Sequence, residues 1–219
     1  MTCEAPRKGT GNAIAALRRL ATPKPVEDRC DFCAVAIASE HRHLLEVSKR
    51  KIVCVCDPCA LRFQNVAEGR FKLIPRDPVF LEGFCLTDAQ WDNLALPINL
   101  TFFRRDSAAG KVVAMYPSPA GATESLLPAE SWAVLEAEND DLAKMEPDVQ
   151  ALLVNRIGTA REYFIAPIDV CYGLVGLIRM HWRGLSGGEK VWEEVGRFFA
   201  GLREKAGAPR TAEREECHA

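Results

Sequence analysis

The 219-residue chain predicts an α+β protein, built as a small four-cysteine, zinc-finger-like module followed by an α+β domain with one sheet and packed helices. Three observations carry that reading. First, the pairs Cys30-Asp31-Phe32-Cys33 and Cys56-Asp57-Pro58-Cys59 are separated by 22 residues, a spacing that aims two sulfurs from each pair at one ion across a hairpin. Second, downstream apolar residues recur with period two in some stretches and near 3.6 in others, the mark of strands mixed with helices. Third, 48% hydrophobic and 26% charged residues suit one ordinary domain plus a small metal-stapled one.

Residues 1–26 read as a polar N-terminal arm whose short helix carries Ile14, Leu17 and Leu20 before Pro23-Lys24-Pro25 breaks it. The metal module covers 27–75. Within it, residues 43–47 run out, 48–51 form a basic tip and 52–56 run back. A helix over 60–66 then presents Leu61, Phe63 and Val66, with Gly69 as its stop. Knuckle, hairpin and knuckle at a helix start is the treble-clef form of a zinc finger.

The α+β domain covers 76–205. Thr87-Asp88-Ala89-Gln90 has the capping-box pattern and opens a helix over 88–94. Residues 98–102 and 111–116 alternate apolar and polar and form a hairpin around the turn at 106–110. Residues 117–125 read as a loop. Pro128 and Glu130 begin a helix through 138. Residues 149–156 and 162–165 are strands, and Asp169 caps a helix running to about 182. Ser186-Gly187-Gly188-Glu189 is a second capping box, opening a helix whose stripe is Val191, Val195, Phe198, Phe199 and Leu202. Residues 206–219 form a flexible tail.

Cys30, Cys33, Cys56 and Cys59 are the metal ligands of this reading. Rubredoxin-type iron sites carry glycines after the second cysteine of each knuckle, so that amides reach the sulfurs. Here Ala34 and Ala60 stand in those places, which favours zinc, with iron as the alternative. Four thiolates close the coordination sphere and leave no position for a substrate, which makes the site structural. Neither catalytic nor cofactor-binding residues assemble from the sequence. Cys54 faces the same way as Cys56 on a strand, and it reads as a small buried residue, with thiol exchange as the sharper alternative. Cys85 and Cys171 read likewise, against a role as an enzymatic nucleophile. His41 and His43 read as solvent-facing polar residues, a Cys/His site being the alternative, and His181 reads as a helix-end residue.

A net charge of −2 and a pI near 6.1 argue against bulk binding of nucleic acid or a membrane surface. Residues 27–76 hold nine Lys/Arg and seven Asp/Glu; four thiolates and a divalent ion bring this +2 to about neutral, so few phosphates could be held. No apolar run approaches the ~20 residues of a membrane span. With no secretory signal and an odd nine cysteines, a reducing cytoplasm is the expected compartment.

The two knuckles, together with Tyr116-Pro117-Ser118-Pro119-Ala120-Gly121-Ala122-Thr123-Glu124, Leu152-Leu153-Val154-Asn155-Arg156, Pro167-Ile168-Asp169-Val170-Cys171-Tyr172 and Trp182-Arg183-Gly184-Leu185-Ser186-Gly187-Gly188, resemble an uncharacterised bacterial family encoded beside nickel–iron hydrogenase genes. The likeness runs over about 30–203. It implies a cytoplasmic accessory protein whose partner is a hydrogenase subunit or maturation factor. No catalytic residues are established for that family. Asn155, Arg156, Asp169, Tyr172, Trp182 and Arg183, polar and aromatic groups at element ends, are the expected partner surface. The functional expectation is therefore a non-catalytic, zinc-binding accessory protein. The alternatives are a rubredoxin-like electron carrier or a cysteine-dependent enzyme.

Overall fold

The period-two hairpin of the module and the longer alternating stretches of the domain form two separate antiparallel sheets in the structure, a computed structural model that describes residues 28–64, 69–184 and 187–207. The first sheet has β1 (Arg42–Glu46), β2 (Lys51–Val55) and β3 (Phe71–Leu73) in the order β2-β1-β3. The second has β4 (Val79–Phe80), β5 (Leu100–Asp106), β6 (Lys111–Ser118), β7 (Gly121–Ser125), β8 (Gln150–Asn155) and β9 (Glu162–Pro167), in the order β4-β9-β8-β5-β6-β7. Six α-helices occur among the described residues: α1 (Asp57–Phe63), α2 (Asp88–Asn93), α3 (Ala129–Glu138), α4 (Asp140–Lys144), α5 (Ile168–His181) and α6 (Glu189–Lys205). The α+β expectation holds, although the module is not a separate appendage.

The large sheet is covered on both faces. Leu152 and Leu153 are both fully buried because successive side chains of β8 enter different cores. Leu153 joins Phe102, Phe164, Val175 and Phe199 beneath α5 and α6. Leu152 joins Phe103, Trp91, Trp132 and Leu142 beneath α2, α3 and α4. The predicted stripe of α6 is found, with Val191, Val195, Phe199 and Leu202 buried and Phe198 packed at its margin. Leu45 and Ile74 of the module belong to the α5–α6 core. The module also has its own small core of Leu44, Val53, Val55, Ala60 and Phe71.

The Thr87 capping box forms as expected, its side chain accepting from the Gln90 amide at 3.2 Å. Three readings need correction. Residues 121–125 are the edge strand β7 rather than loop, paired with β6 from Ala114↔Ser125 to Ser118↔Gly121. Pro117 obscures the pattern, yet it lies beyond Met115, the last β6 residue paired with β5, where the strand is bonded on one side only. Asp169 is inside the first turn of α5, and the N-cap is Pro167. The N-cap of α6 is Gly188, at φ +78°, so the helix begins too late for a Ser186 box; Ser186 itself lies outside the described residues. Gly187, at φ +87°, packs so tightly that a Cβ would stand 2.8 Å from Val191 Cγ1. The short strands β3 and β4 and the five-residue helix α4 are additions. The arm at 1–26 and most of the tail fall outside the described residues.

Candidate metal centre

Each residue of the first knuckle has a physical task. The Cys30 amide donates to the Val35 carbonyl at 2.9 Å and the Ala34 amide to the Cys30 carbonyl at 2.8 Å, which closes the tight turn. Asp31 stitches this turn to β2: its amide donates to the Cys54 carbonyl at 2.8 Å, and its carboxylate accepts from the Cys54 amide at 2.7 Å. Phe32 stacks on Phe63 at 4.2 Å and meets the edge of Phe71 at 5.3 Å, which anchors the knuckle to the module core. In the second knuckle Cys56 is the N-cap of α1 and Pro58 occupies its first turn, a place where the missing amide costs nothing.

This geometry brings the four predicted thiols together. Their Sγ atoms all lie within 4.8 Å of one another, with Cys33 and Cys56 at 3.7 Å. Four sulfurs so placed fit a tetrahedrally coordinated ion. Their acidities express the crowding. Burial raises Cys30, but backbone hydrogen bonds from Cys56, Cys33 and Phe32 more than offset this and bring its thiol down to about 6. Cys59 is desolvated and hydrogen-bonded to the Cys56, Cys33 and Cys30 thiols, which pushes it up to about 12. One thiolate therefore forms readily and the last only with a cation beside it. A bound divalent ion would supply that charge.

Ala34 lies at φ +60°, the left-handed conformation that glycine adopts without cost. The Val35 backbone in turn hydrogen-bonds to Cys33 sulfur. The expectation that alanine here denies the sulfurs their amide partners is thus corrected for the first knuckle. Ala60 is buried inside α1.

Cys54 does not join the four thiols. It is half-buried, burial raises its thiol, and it faces His41 and His43 instead. Nor is His43 solvent-facing, for its Nδ1 lies 2.6 Å from Asp169 Oδ2. Cys171 is fully buried in the α5–α6 core, where burial pushes its thiol far up, which counts against its serving as a nucleophile. Cys85 is half-buried, its amide and carbonyl both held by the Asn139 side chain. The basic hairpin tip is exposed, yet its Lys49 and Arg50 are paired. Lys49 and Arg70 pair with Glu46 at 3.1 and 2.9 Å, and Arg50 pairs with the buried Asp106.

The six expected partner-contact residues are not gathered on one surface. Asn155 and Arg156 are buried. Asn155 donates to Glu162 at 2.7 Å. Arg156 donates to the Leu86 carbonyl and the Tyr163 hydroxyl, pairs with Asp88, and lies over the Trp91 ring. Asp169 holds His43, and half-buried Tyr172 packs edge-on to Phe102. Only Trp182 and Arg183 share a corner, at the end of α5, where Trp182 meets Trp192 at 6.2 Å and Met180 is two-thirds exposed. Among the described residues, no helix is long and apolar enough to cross a membrane.

The fold and site define an α+β protein with a four-thiol, metal-competent knuckle pair fused to its core. The chain belongs to the family of unknown function DUF5947, whose profile matches residues 29–206. No curated protein and no solved structure matches it.

Proposed function

We propose that this chain is a non-catalytic, zinc-binding accessory protein that acts through contact with another protein in the cytoplasm. The observation that carries the reading is the convergence of Cys30, Cys33, Cys56 and Cys59 within 4.8 Å, a ligand set that fills the coordination sphere and leaves the ion a structural part. The sequence resemblance points to a nickel–iron hydrogenase system, with a hydrogenase subunit or maturation factor as partner. The contact surface in this reading is the corner formed by Trp182, Arg183, Met180 and Trp192. It exposes large apolar groups beside a cation, the composition that interface anchors favour.

Two measurements test this. Elemental analysis of the purified chain is expected to give zinc bound by the four thiols, lost when Cys56 and Cys59 become serine. Binding to purified hydrogenase subunits and maturation factors, measured by calorimetry, is expected with at least one of them and is expected to weaken tenfold or more in Met180→Asp with Arg183→Glu. Absence of binding to every such component removes the accessory reading.

A rubredoxin-like iron carrier is the second reading, favoured by the backbone hydrogen bonds that reach Cys30 and Cys33 sulfur, since such bonds tune iron–thiolate potentials. A red protein that bleaches on reduction selects iron; a colourless one with stoichiometric zinc selects the first reading.

A further inference from the structure

A second group of metal-ligating side chains lies outside the four-thiol cluster. One ring nitrogen of His41, one of His43 and Sγ of Cys54 all lie within 4.8 Å of one another. The strand register builds this group. His43 and Cys54 are direct cross-strand partners, so their side chains stand together on one face of the module sheet, and His41 is two residues before His43. Leu44, Val53 and Val55 occupy the other face and the module core. Leu45 and Ile52, on the histidine face, join the core shared with the large sheet.

Both imidazoles are held from behind. His41 Nδ1 is 2.9 Å from the Ala38 carbonyl oxygen, and His43 Nδ1 is 2.6 Å from Asp169 Oδ2, in the first turn of α5. A carbonyl and a carboxylate accept, so each Nδ1 carries a proton, and in the neutral ring, the form that binds a metal, each Nε2 presents a lone pair. A carbonyl or carboxylate on the far nitrogen is the usual support of a metal-binding histidine. His41 Nε2, moreover, is buried with no hydrogen-bond partner. A buried imidazole nitrogen left bare is unfavourable, and an ion between the two rings and the thiol relieves it.

We propose that His41, His43 and Cys54 form a second metal site, for Zn²⁺ or the chemically similar Co²⁺, through Nε2, Nε2 and Sγ. Two nitrogens and one sulfur suit a borderline-soft, late first-row ion. Three protein ligands leave a coordination position open, unlike the four-thiol site, so this ion can take a water or an external ligand. Asp169 couples it to the domain: α5 orients His43 while β1 and β2 supply the ligands. Cys54, His43 and Asp169 also have the order of a thiol–imidazole–carboxylate nucleophile. That assignment gives the bare His41 nitrogen nothing to do, and the metal assignment uses it.

The test uses the full-length chain, stripped of metal under reducing conditions and titrated with Co²⁺, with bound metal counted by mass spectrometry after gel filtration. Two equivalents per chain are expected. The second should add a weaker thiolate-to-cobalt absorption than the first, in keeping with one sulfur against four. His43→Gln and Cys54→Ala, each checked for native circular dichroism, are expected to retain one equivalent. The Cys56→Ser, Cys59→Ser pair is expected to lose the first equivalent, so failure of the four-thiol reading is visible separately as absence of the strong absorption. Saturation of the wild type at one equivalent overturns the proposal, as does a second equivalent that survives in Cys54→Ala. Alkylation of Cys54 at an unchanged rate with and without Co²⁺ also overturns it and selects the nucleophile.

Discussion

Substitution of Arg156 separates a buried structural cation from a docking residue. Its side chain is 3% exposed and donates to the Leu86 carbonyl at 3.1 Å and the Tyr163 hydroxyl at 3.2 Å. It lies 5.3 Å above the Trp91 ring and pairs with Asp88, whose side chain is 78% exposed. Arg156→Met keeps most of the apolar volume and removes the polar contacts. The exposed Asp88 pair contributes little. The buried Leu86 carbonyl is left bare, which costs about 1–3 kcal/mol, and the cation–π contact is worth about 0.5–2 kcal/mol. With the Tyr163 contact the sum is about 3 kcal/mol, which lowers Tm by about 6–12 °C at the 2–4 °C per kcal/mol of a domain this size. Thermal unfolding followed by circular dichroism measures it, with Arg183→Met as an exposed control that should stay close to wild type. An unchanged Tm in Arg156→Met, together with lost partner binding, would refute the structural assignment.

Three further outcomes are expected. Ala34→Gly relieves a left-handed alanine that costs about 1–2 kcal/mol and forfeits about 0.4–1 kcal/mol through a freer unfolded chain. It should therefore stabilise by about 0.5–1 kcal/mol in urea titration, whereas Ala34→Pro, locked at negative φ, should release the metal. Phe164 is fully buried between Phe80 at 5.2 Å and Phe199 at 6.2 Å, so Phe164→Ala should cost about 3–5 kcal/mol in the same titration. Burial pushes the Asp148 carboxyl up, but Lys72 and the Ser107 hydroxyl and amide more than reverse this and hold it below its ordinary value. A depressed folded pKa makes this stabilisation fully present above the ordinary value near ~4 and lost as pH falls through the lower one. Urea titrations from pH 7 to below pH 3 should show wild type losing more stability than Asp148→Asn, and parallel curves would exclude this role.

What the sequence disclosed depended on how local the signal was. The thiol pairs, the Thr87 cap and the α6 stripe are set by residues within a few positions of one another, and each appears where its spacing places it. Helix covering both faces of the large sheet was less visible, because Leu152, Leu153 and Val154 are all buried and an unbroken apolar run carries no alternation. Arg156 reads as a polar element end. Its partners lie as far off as Leu86, Asp88 and Trp91, a separation that no window of sequence spans. The His41, His43 and Cys54 group had a legible half, the period-two spacing of the histidines and the cross-strand position of the cysteine. Its other half, Asp169, is 126 residues from His43 and emerges only when α5 docks.

That docking makes β1 the mechanical centre of the protein. Period two sends Leu44 into the core beneath the four thiols and His43 and Leu45 toward the large sheet, so one five-residue strand touches both candidate metal groups and the main core. The hairpin tip and β3 add two clasps, Arg50 to Asp106 and Lys72 to Asp148. Both carboxylates flank the β5–β6 turn, where Asp106 caps the Ala108 and Ala109 amides and Asp148 holds Ser107. Loss of order in the knuckles therefore has a direct path into the large sheet. Packed interfaces transmit such changes because they have no slack to absorb them. A metal held by Cys30, Cys33, Cys56 and Cys59 would thus stabilise more than a finger: it would brace the strand that carries His43, which Leu45, Asp169 and the two clasps link to the large sheet.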